Sequence, residues 1–462
     1  GYLTNSDTAD SQIDSAYCPY IGRLAPGGSI QLNAVTFAND WAGNHFIMCG
    51  VSNGTGGLNL TIADGSGNVL AQTTAYLQIQ DIKQMYERWT VGDQPSRVPM
   101  TNAVLASDGL PAFTMPFEYT PPQDTNTPYI LYVHGWNMET WEKNAFAESA
   151  FKRLYWQGYQ GRFGVFRWPT TYGFTGSFWQ ALTDPESYDN GEFNAWQSAQ
   201  GLLNKLEDLN AEYPGHVYML AHSMGNVVAG EALRLAAQSG SGQIVNTYVA
   251  SQAAISAHNY DATVTTPYLL PFTYKYPSGF LSLLGTNNYG PYAPDIYVNR
   301  LTNNVVAVGK RISFYNVNDF ALAMPRWGFD SILKPDHPIG GYYYYSGSIS
   351  DPSPWNNFEF IFTTGDPPPS PTYFDIVNSL HDRYEVMAYA APSYSTALGA
   401  TPNVLNISEN LDLTTVWPPD STGNDYTEHF WHSAEFRGDY WQEQGYWHTL
   451  LFSSTYGFNI SP

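Results

Sequence analysis

The ten residues Val217-Tyr-Met-Leu-Ala-His-Ser-Met-Gly-Asn226 hold the strongest chemical signal in the chain: a short apolar run, a serine, and a segment of helical character directly after it. A serine at a tight turn between a buried strand and a helix is held in a strained backbone conformation with its hydroxyl exposed. Small residues two before and two after it let strand and helix approach closely. Here those residues are Ala221 and Gly225, giving A-x-S-x-G in place of G-x-S-x-G. A methyl is a mild departure at the first position. A small-Ser-small triplet also arises by chance in a long chain, so the strand before it and the helix after it give this one its weight. Ser223 is the candidate nucleophile.

A neutral hydroxyl attacks poorly, so such a serine needs a base to take its proton and donors to hold the oxyanion that forms. Val133-His134-Gly135-Trp136-Asn137 ends the first strand of the larger domain and puts a glycine-containing loop where half of an oxyanion hole is built. The expected backbone donors are Trp136 and Met224, the latter being the residue after the nucleophile. His134 is read as a residue that packs this loop, with no part in the chemistry.

These residues need a scaffold, and the rhythm of the chain supplies one. Residues 129–133, 163–168 and 217–221 read as strands, and residues 139–159, 192–209 and 224–237 as helices between and after them. Two further strands are expected at 247–254 and 311–315. Alternation of this kind predicts a mostly parallel sheet with helices on both faces. Before it, residues 1–90 hold short alternating runs broken by Asn53-Gly54 and Asp64-Gly65, read as a small β-sandwich-like accessory domain. Residues 91–128 gather prolines and lose periodicity, as an extended connector does. Residues 129–462 form the larger domain, with insertions expected at about 258–299 and 324–425. Loops of that kind commonly shape substrate sites.

The set His134-Gly135-Trp136-Asn137, Phe166-Arg167-Trp168-Pro169-Thr170 and Ala221-His222-Ser223-Met224-Gly225-Asn226 resembles the α/β-hydrolase superfamily, and most nearly a bacterial esterase/lipase-like branch. The resemblance covers residues 129–257 well and the remainder weakly. It implies the α/β-hydrolase fold, a Ser–acid–His chain order and hydrolysis of an ester or related acyl bond. In that fold the acid follows a later strand and the base precedes the last helix. Asp319, after the apolar run 311–315 and a polar turn, is then the best-placed acid, with Asp330, Asp375 and Asp382 as rivals. Five histidines follow it: His337, His381, His429, His432 and His448. His432 stands immediately before Ser433, which can cap the terminal helix, so it is taken as the base and His429 as runner-up.

The implied reaction is that of a serine carboxylic-ester hydrolase acting through an acyl-enzyme, on a small-molecule or polymer-borne ester and with no cofactor. The alternative is a non-catalytic surface or assembly protein that uses the fold as a scaffold. Nineteen Lys+Arg against 41 Asp+Glu leave a net charge of −22, a field that repels nucleic acid and anionic lipid. No apolar run approaches the about 20 residues that span a bilayer, so no transmembrane segment is expected. His429, His432 and Glu435 could in principle meet on a helix as metal ligands, but a closed zinc site needs a fourth ligand that nothing nearby supplies, so no metal site is assigned. Low charge, abundant tyrosine, and a single pair of cysteines, Cys18 and Cys49, lean towards an extracellular or cell-surface protein. Surface or carbohydrate contact falls to the N-terminal β region. The apolar runs 268–272 and 280–284 either pack as a satellite core or line a cleft for an acyl chain.

Overall fold

The computed structural model describes residues 24–32, 54–92, 103–105, 124–136, 138, 140–170, 185–255, 260, 307–317, 319, 322, 397–400, 407–416, 432–437 and 440–461. The cysteines, the apolar runs 268–272 and 280–284, the rival aspartates Asp330, Asp375 and Asp382, and His337, His381 and His429 lie outside them.

Eight strands form one sheet. In chain order they are β3 (Glu87–Thr90), β4 (Val104–Leu105), β5 (Tyr129–Val133), β6 (Arg162–Arg167), β7 (Val217–His222), β8 (Gln243–Ser251), β9 (Ala307–Tyr315) and β10 (Glu409–Asp412). Their order across the sheet is β10-β9-β8-β7-β5-β6-β3-β4, parallel throughout except for the β3–β4 pair at one edge. Among the described residues, helices α1 (Thr140–Trp156), α2 (Pro185–Glu212), α3 (Gly225–Ser239), α4 (Ala434–Arg437) and α5 (Tyr440–Phe452) accompany the sheet. The central strands are buried on both sides, as parallel strands between helical layers must be.

Alternation along each strand sorts its side chains into two cores. Tyr129, Leu131 and Val133 of β5, with Val217, Met219 and Ala221 of β7, join the α2 and α3 residues in one core. Ile130 and Tyr132, with Tyr218 and Leu220, join Phe146, Phe151, Trp447 and Leu450 of α1 and α5 in the other. Pro185 opens α2, where its missing N–H costs nothing. Gly240 closes α3 with φ 76°, the left-handed cap that glycine adopts freely. α3 lies between sheet and helix and buries nearly every side chain, including its charged pair. Arg234 donates to both carboxylate oxygens of Glu231 at 2.8 Å, so neither charge is left alone in the core.

Three boundaries differ from the sequence expectation. β3 falls within residues 1–90, yet it pairs with β6 in the main sheet. Its buried Glu87 and Arg88 hide it from a hydropathy reading, and their partners account for the burial: Arg162 Nη2 donates to Glu87 Oε1 at 2.6 Å, the Tyr129 hydroxyl to Glu87 Oε2 at 2.6 Å, and Arg88 Nη1 to the Lys83 carbonyl at 2.6 Å. β4, from within the expected connector, pairs with β3. β10 lies within the expected insertion 324–425, and only Leu411 of its four residues turns fully inward, too little pattern to mark a strand. Of the accessory β region, the described residues give one antiparallel hairpin, β1 (Gly54–Ala63) and β2 (Val69–Ile79). Its turn is set by Asp64, whose Oδ1 accepts from the backbone N–H of Ser66 and Asn68, and by Gly67 at φ 84°.

Candidate active site

Parallel strands bring their C-terminal ends to one edge, where β5, β7, β8 and β9 deliver the loops carrying His134, Ser223, Gln252 and Asp319. Ser223 sits between β7 and α3 with φ 54°, a left-handed conformation that is strained for a residue with a side chain. The surroundings fix it there. Its carbonyl accepts from the backbone N–H groups of Asn226 and Ala254, each at 3.1 Å, and from Asn226 Nδ2 at 2.8 Å, while its own N–H donates to the Ser251 carbonyl at 3.2 Å. The Tyr248 hydroxyl in turn donates to Asn226 Oδ1 at 2.6 Å. Gly225 lets the helix start against the end of β5: a Cβ there would lie 2.5 Å from the His134 carbonyl oxygen. Gly135 does the same beside the serine, where a Cβ would come within 2.8 Å of Ser223 Cβ.

His432 reaches the serine from the turn before α4. Its Nε2 lies 2.7 Å from Ser223 Oγ and its Nδ1 lies 2.7 Å from Asp319 Oδ2. A carboxylate accepts only, so Nδ1 carries the hydrogen and Nε2 offers its lone pair to the serine O–H. Burial works against a positive His432, but the charge of Asp319, its hydrogen bond and the more distant Glu435 outweigh it, so the imidazole is held above its ordinary 6.5. Asp319 is fully buried. Its Oδ2 also accepts from Gln252 Nε2 at 2.7 Å, and its Oδ1 from the Leu322 N–H at 3.2 Å.

The turn that carries His432 is itself clamped. Arg153 Nη1 and Trp447 Nε1 both donate to the Glu435 carbonyl, the latter at 3.0 Å, and Ser149 Oγ donates to the Phe436 carbonyl at 3.0 Å. Around Asp319, the segment 397–400 closes the back of the site. The Gly399 carbonyl accepts from Asn316 N–H at 2.8 Å, and a Cβ on Gly399 would meet the Ala253 nitrogen at 2.2 Å.

His134 is a brace. It is fully buried, stacked on Trp168 at 5.3 Å and 2°, with Nδ1 donating to the Gly135 carbonyl at 2.8 Å and Nε2 accepting from Trp168 N–H at 3.1 Å. Burial, with Lys143 nearby, pushes it well below 6.5 and keeps it neutral. Trp136 follows Gly135 in this loop, and Met224 opens α3, where N–H groups have no intrahelical partner.

The structure therefore brings Ser223 and Asp319 each within hydrogen-bond reach of His432, and sets the Trp136 loop against Ser223 through Gly135. His448 stands elsewhere, on the exposed side of α5 with Nδ1 3.3 Å from Gln157 Oε1. Ser433 contributes its backbone carbonyl to the turn, accepting from Phe436 N–H at 3.1 Å. Both ring nitrogens of His432 are engaged by Asp319 and Ser223, and the described residues hold no group of three or more His, Cys, Asp or Glu able to bind a metal ion. Sequence reasoning did not mark Gln252, named Asn226 and His222 only as part of the motif around Ser223, and weighed Glu435 only as a metal ligand. Gln252 lay hidden at the end of an apolar run, its only signal being two polar residues, Ser251 and Gln252, where strand β8 stops.

A mostly parallel sheet between helices, with a strained serine between strand and helix at its C-terminal edge, is the architecture of the α/β hydrolases. Residues 120–266, about one third of the chain, match the model of one such family, described as alpha/beta hydrolase of unknown function (DUF900); the match spans β5 to β8 and includes Ser223. No curated protein matches the chain. Among solved structures, a metagenomic carboxyl esterase is similar at 14% identity and a TM-score of 0.22, over 48% of this chain and 61% of that one. Prolyl oligopeptidase B from Galerina marginata is similar at 12% identity and a TM-score of 0.21, over 74% of this chain and 37% of that one. The chain spans less than two thirds of the length of either. No helix among the described residues is long and apolar enough to cross a membrane.

Proposed function

We propose that the protein is a serine hydrolase that cleaves carboxylic esters. The observation that carries this reading is the pair of 2.7 Å contacts made by His432, one to Ser223 Oγ and one to Asp319 Oδ2. Ser223 Oγ attacks the ester carbonyl as its proton passes to His432 Nε2. Asp319 holds the imidazole in the tautomer that leaves Nε2 open and stabilises the imidazolium once the proton arrives. The N–H groups of Trp136 and Met224 receive the oxyanion. His432 then protonates the departing alkoxide, and water, activated by the same imidazole, releases the acyl group and restores the serine. The proton of Ser223 leaves with the alcohol, and a proton of the water, relayed by His432, replaces it.

Labelling by a fluorophosphonate probe, followed by peptide mapping, tests the reading directly. Modification at Ser223, lost when His432 is replaced by Gln, is expected. Intact protein that neither reacts with the probe nor hydrolyses p-nitrophenyl esters from acetyl to octanoyl would overturn it. The same ester series reports acyl preference, because each methylene buried in a cleft contributes about 0.8 kcal/mol.

A further inference from the structure

Glu435 lies in the first turn of α4, three residues after His432, and its side chain is fully buried. Oε1 accepts from Ser251 Oγ at 2.8 Å, while Oε2 has no hydrogen-bond partner among the described residues. Oε1 also lies 3.8 Å from His222 Nε2. That same nitrogen is 2.7 Å from the His432 carbonyl oxygen, and since a carbonyl only accepts, His222 Nε2 carries the hydrogen and donates it to the backbone of His432. One imidazole N–H thus stands between a buried carboxyl and the residue that contacts Ser223. The rings of His222 and His432 are 5.0 Å apart. A carboxyl in the core with one hydrogen bond is costly to keep, and the reaction sequence makes no use of it.

We propose that Glu435 is a positioning residue for the base: through His222 it fixes the backbone of His432, and its negative charge helps sustain the positive charge that His432 acquires in the reaction. The inference rests on the reading of Ser223, His432 and Asp319 as the catalytic set. Glu435 neither takes nor gives a proton in turnover; the proton still travels between Ser223 Oγ and His432 Nε2.

The groups that face Glu435 set when that charge is present. Burial acts most strongly and pushes the carboxyl up to about 7; the Ser251 bond and positive His432 pull it back, while Asp319 opposes its ionisation. Tyr446 on α5 and Tyr132 on β5 are buried phenols kept neutral by burial and by Glu435 itself, and Glu443 reinforces this at Tyr446. Arg153 of α1 donates to the Glu435 backbone carbonyl. Glu435 and His432 therefore each favour the charged form of the other. Loss of a proton from Glu435 raises the proton affinity of His432, so the His432 titration is broader than that of one isolated group.

The test is Glu435→Gln in the full chain, with histidine side-chain NMR titration as one readout and the pH dependence of fluorophosphonate labelling at Ser223 as the other. A spectrum of His432→Gln assigns the signal. The His432 midpoint is expected to fall by roughly half a pH unit or more and to sharpen to a one-proton curve, with the acidic limb of labelling moving alongside it. A role in packing alone would depress labelling at every pH and leave the midpoint where it was, and that result overturns the proposal. Ser251→Ala gives a second handle should the first variant not fold. It removes a bond that favours ionised Glu435, so the broad component should move to higher pH; an unmoved curve again refutes the coupling. The NMR arm does not depend on turnover. A shifted midpoint without probe reactivity would sink the hydrolase reading, whereas reactivity with an unshifted midpoint would sink this inference alone.

Discussion

Gln252 Nε2 and His432 Nδ1 converge on the same oxygen, Oδ2 of Asp319, each at 2.7 Å. Two donors thus meet one buried oxygen, and Gln252 is itself held at φ 39° by its N–H bond to the Phe314 carbonyl. Gln252→Leu removes one donor from a buried carboxylate and loosens its hold on the imidazole. A fall in kcat of about tenfold or more is expected, on the order of one charge-assisted hydrogen bond, with little change in KM. Steady-state kinetics on a p-nitrophenyl ester check this, and an unchanged kcat would remove Gln252 from the site.

Ser223→Ala should abolish ester hydrolysis, leaving less than about a thousandth of the original rate. Thermal unfolding should stay close to that of the unaltered protein. The backbone bonds that fix the turn come from Asn226, Ala254 and Ser251 and do not involve the Ser223 hydroxyl. Calorimetry beside the rate assay separates loss of chemistry from loss of fold.

The two glycines flanking the nucleophile should behave differently on replacement by alanine. At Gly225 the new methyl meets backbone oxygens of Val133 and His134, 2.6 and 2.5 Å away, which cannot move without parting β5 from α3. Gly225→Ala is expected to cost more than about 3 kcal/mol or to prevent folding. At Gly135 the nearest atom is Ser223 Cβ, 2.8 Å away. Gly135→Ala should therefore fold and lose activity by displacing the serine. Urea denaturation and probe labelling on both variants decide the matter.

Ester hydrolysis should rise with pH through a midpoint above 6.5, because His432 must be neutral to act as base and its partners hold the imidazole above that value. Stability should run the opposite way across part of the range. Glu435 has its carboxyl raised from 4.5 to about 7 on folding, so the folded chain holds a proton there that the unfolded chain has released. The contribution from this group is therefore undiminished below about 4.5, falls as pH rises towards about 7, and stays lost above it. Glu435→Gln should recover about 2 kcal/mol in chemical denaturation above pH 7 relative to pH 5. A difference independent of pH would contradict this.

Ser223 stood out in the sequence by the apolar run of β7 before it and the helical spacing of α3 after it, whereas Asp319, after β9, and His432, before the terminal helices, were singled out by the chain order that the family resemblance implies. The supporting residues carried no such marks. Glu87, buried in β3, reads as a surface charge until Arg162 and Tyr129 are seen beside it. Glu435 had the spacing of a metal ligand to His432, but its side chain meets Ser251 and His222 instead. Contacts such as Gly399 against Ala253 join segments about 150 residues apart, and no local pattern of hydropathy encodes them.

His432 lies 209 residues after Ser223 and 113 after Asp319, and its turn is fastened by Arg153, Ser149 and Trp447. On the proposed reading, a ribosome working from the N-terminus delivers the nucleophile and the acid well before the base, whereas the last strand of the sheet, β10 (Glu409–Asp412), emerges only shortly before His432. During synthesis the growing chain carries a serine with no partner to activate it, and it becomes reactive only when the segment after β10 docks on α1. Competence thus arrives in a single late step, and a chain cut short before residue 432 would carry an assembled sheet yet remain chemically silent.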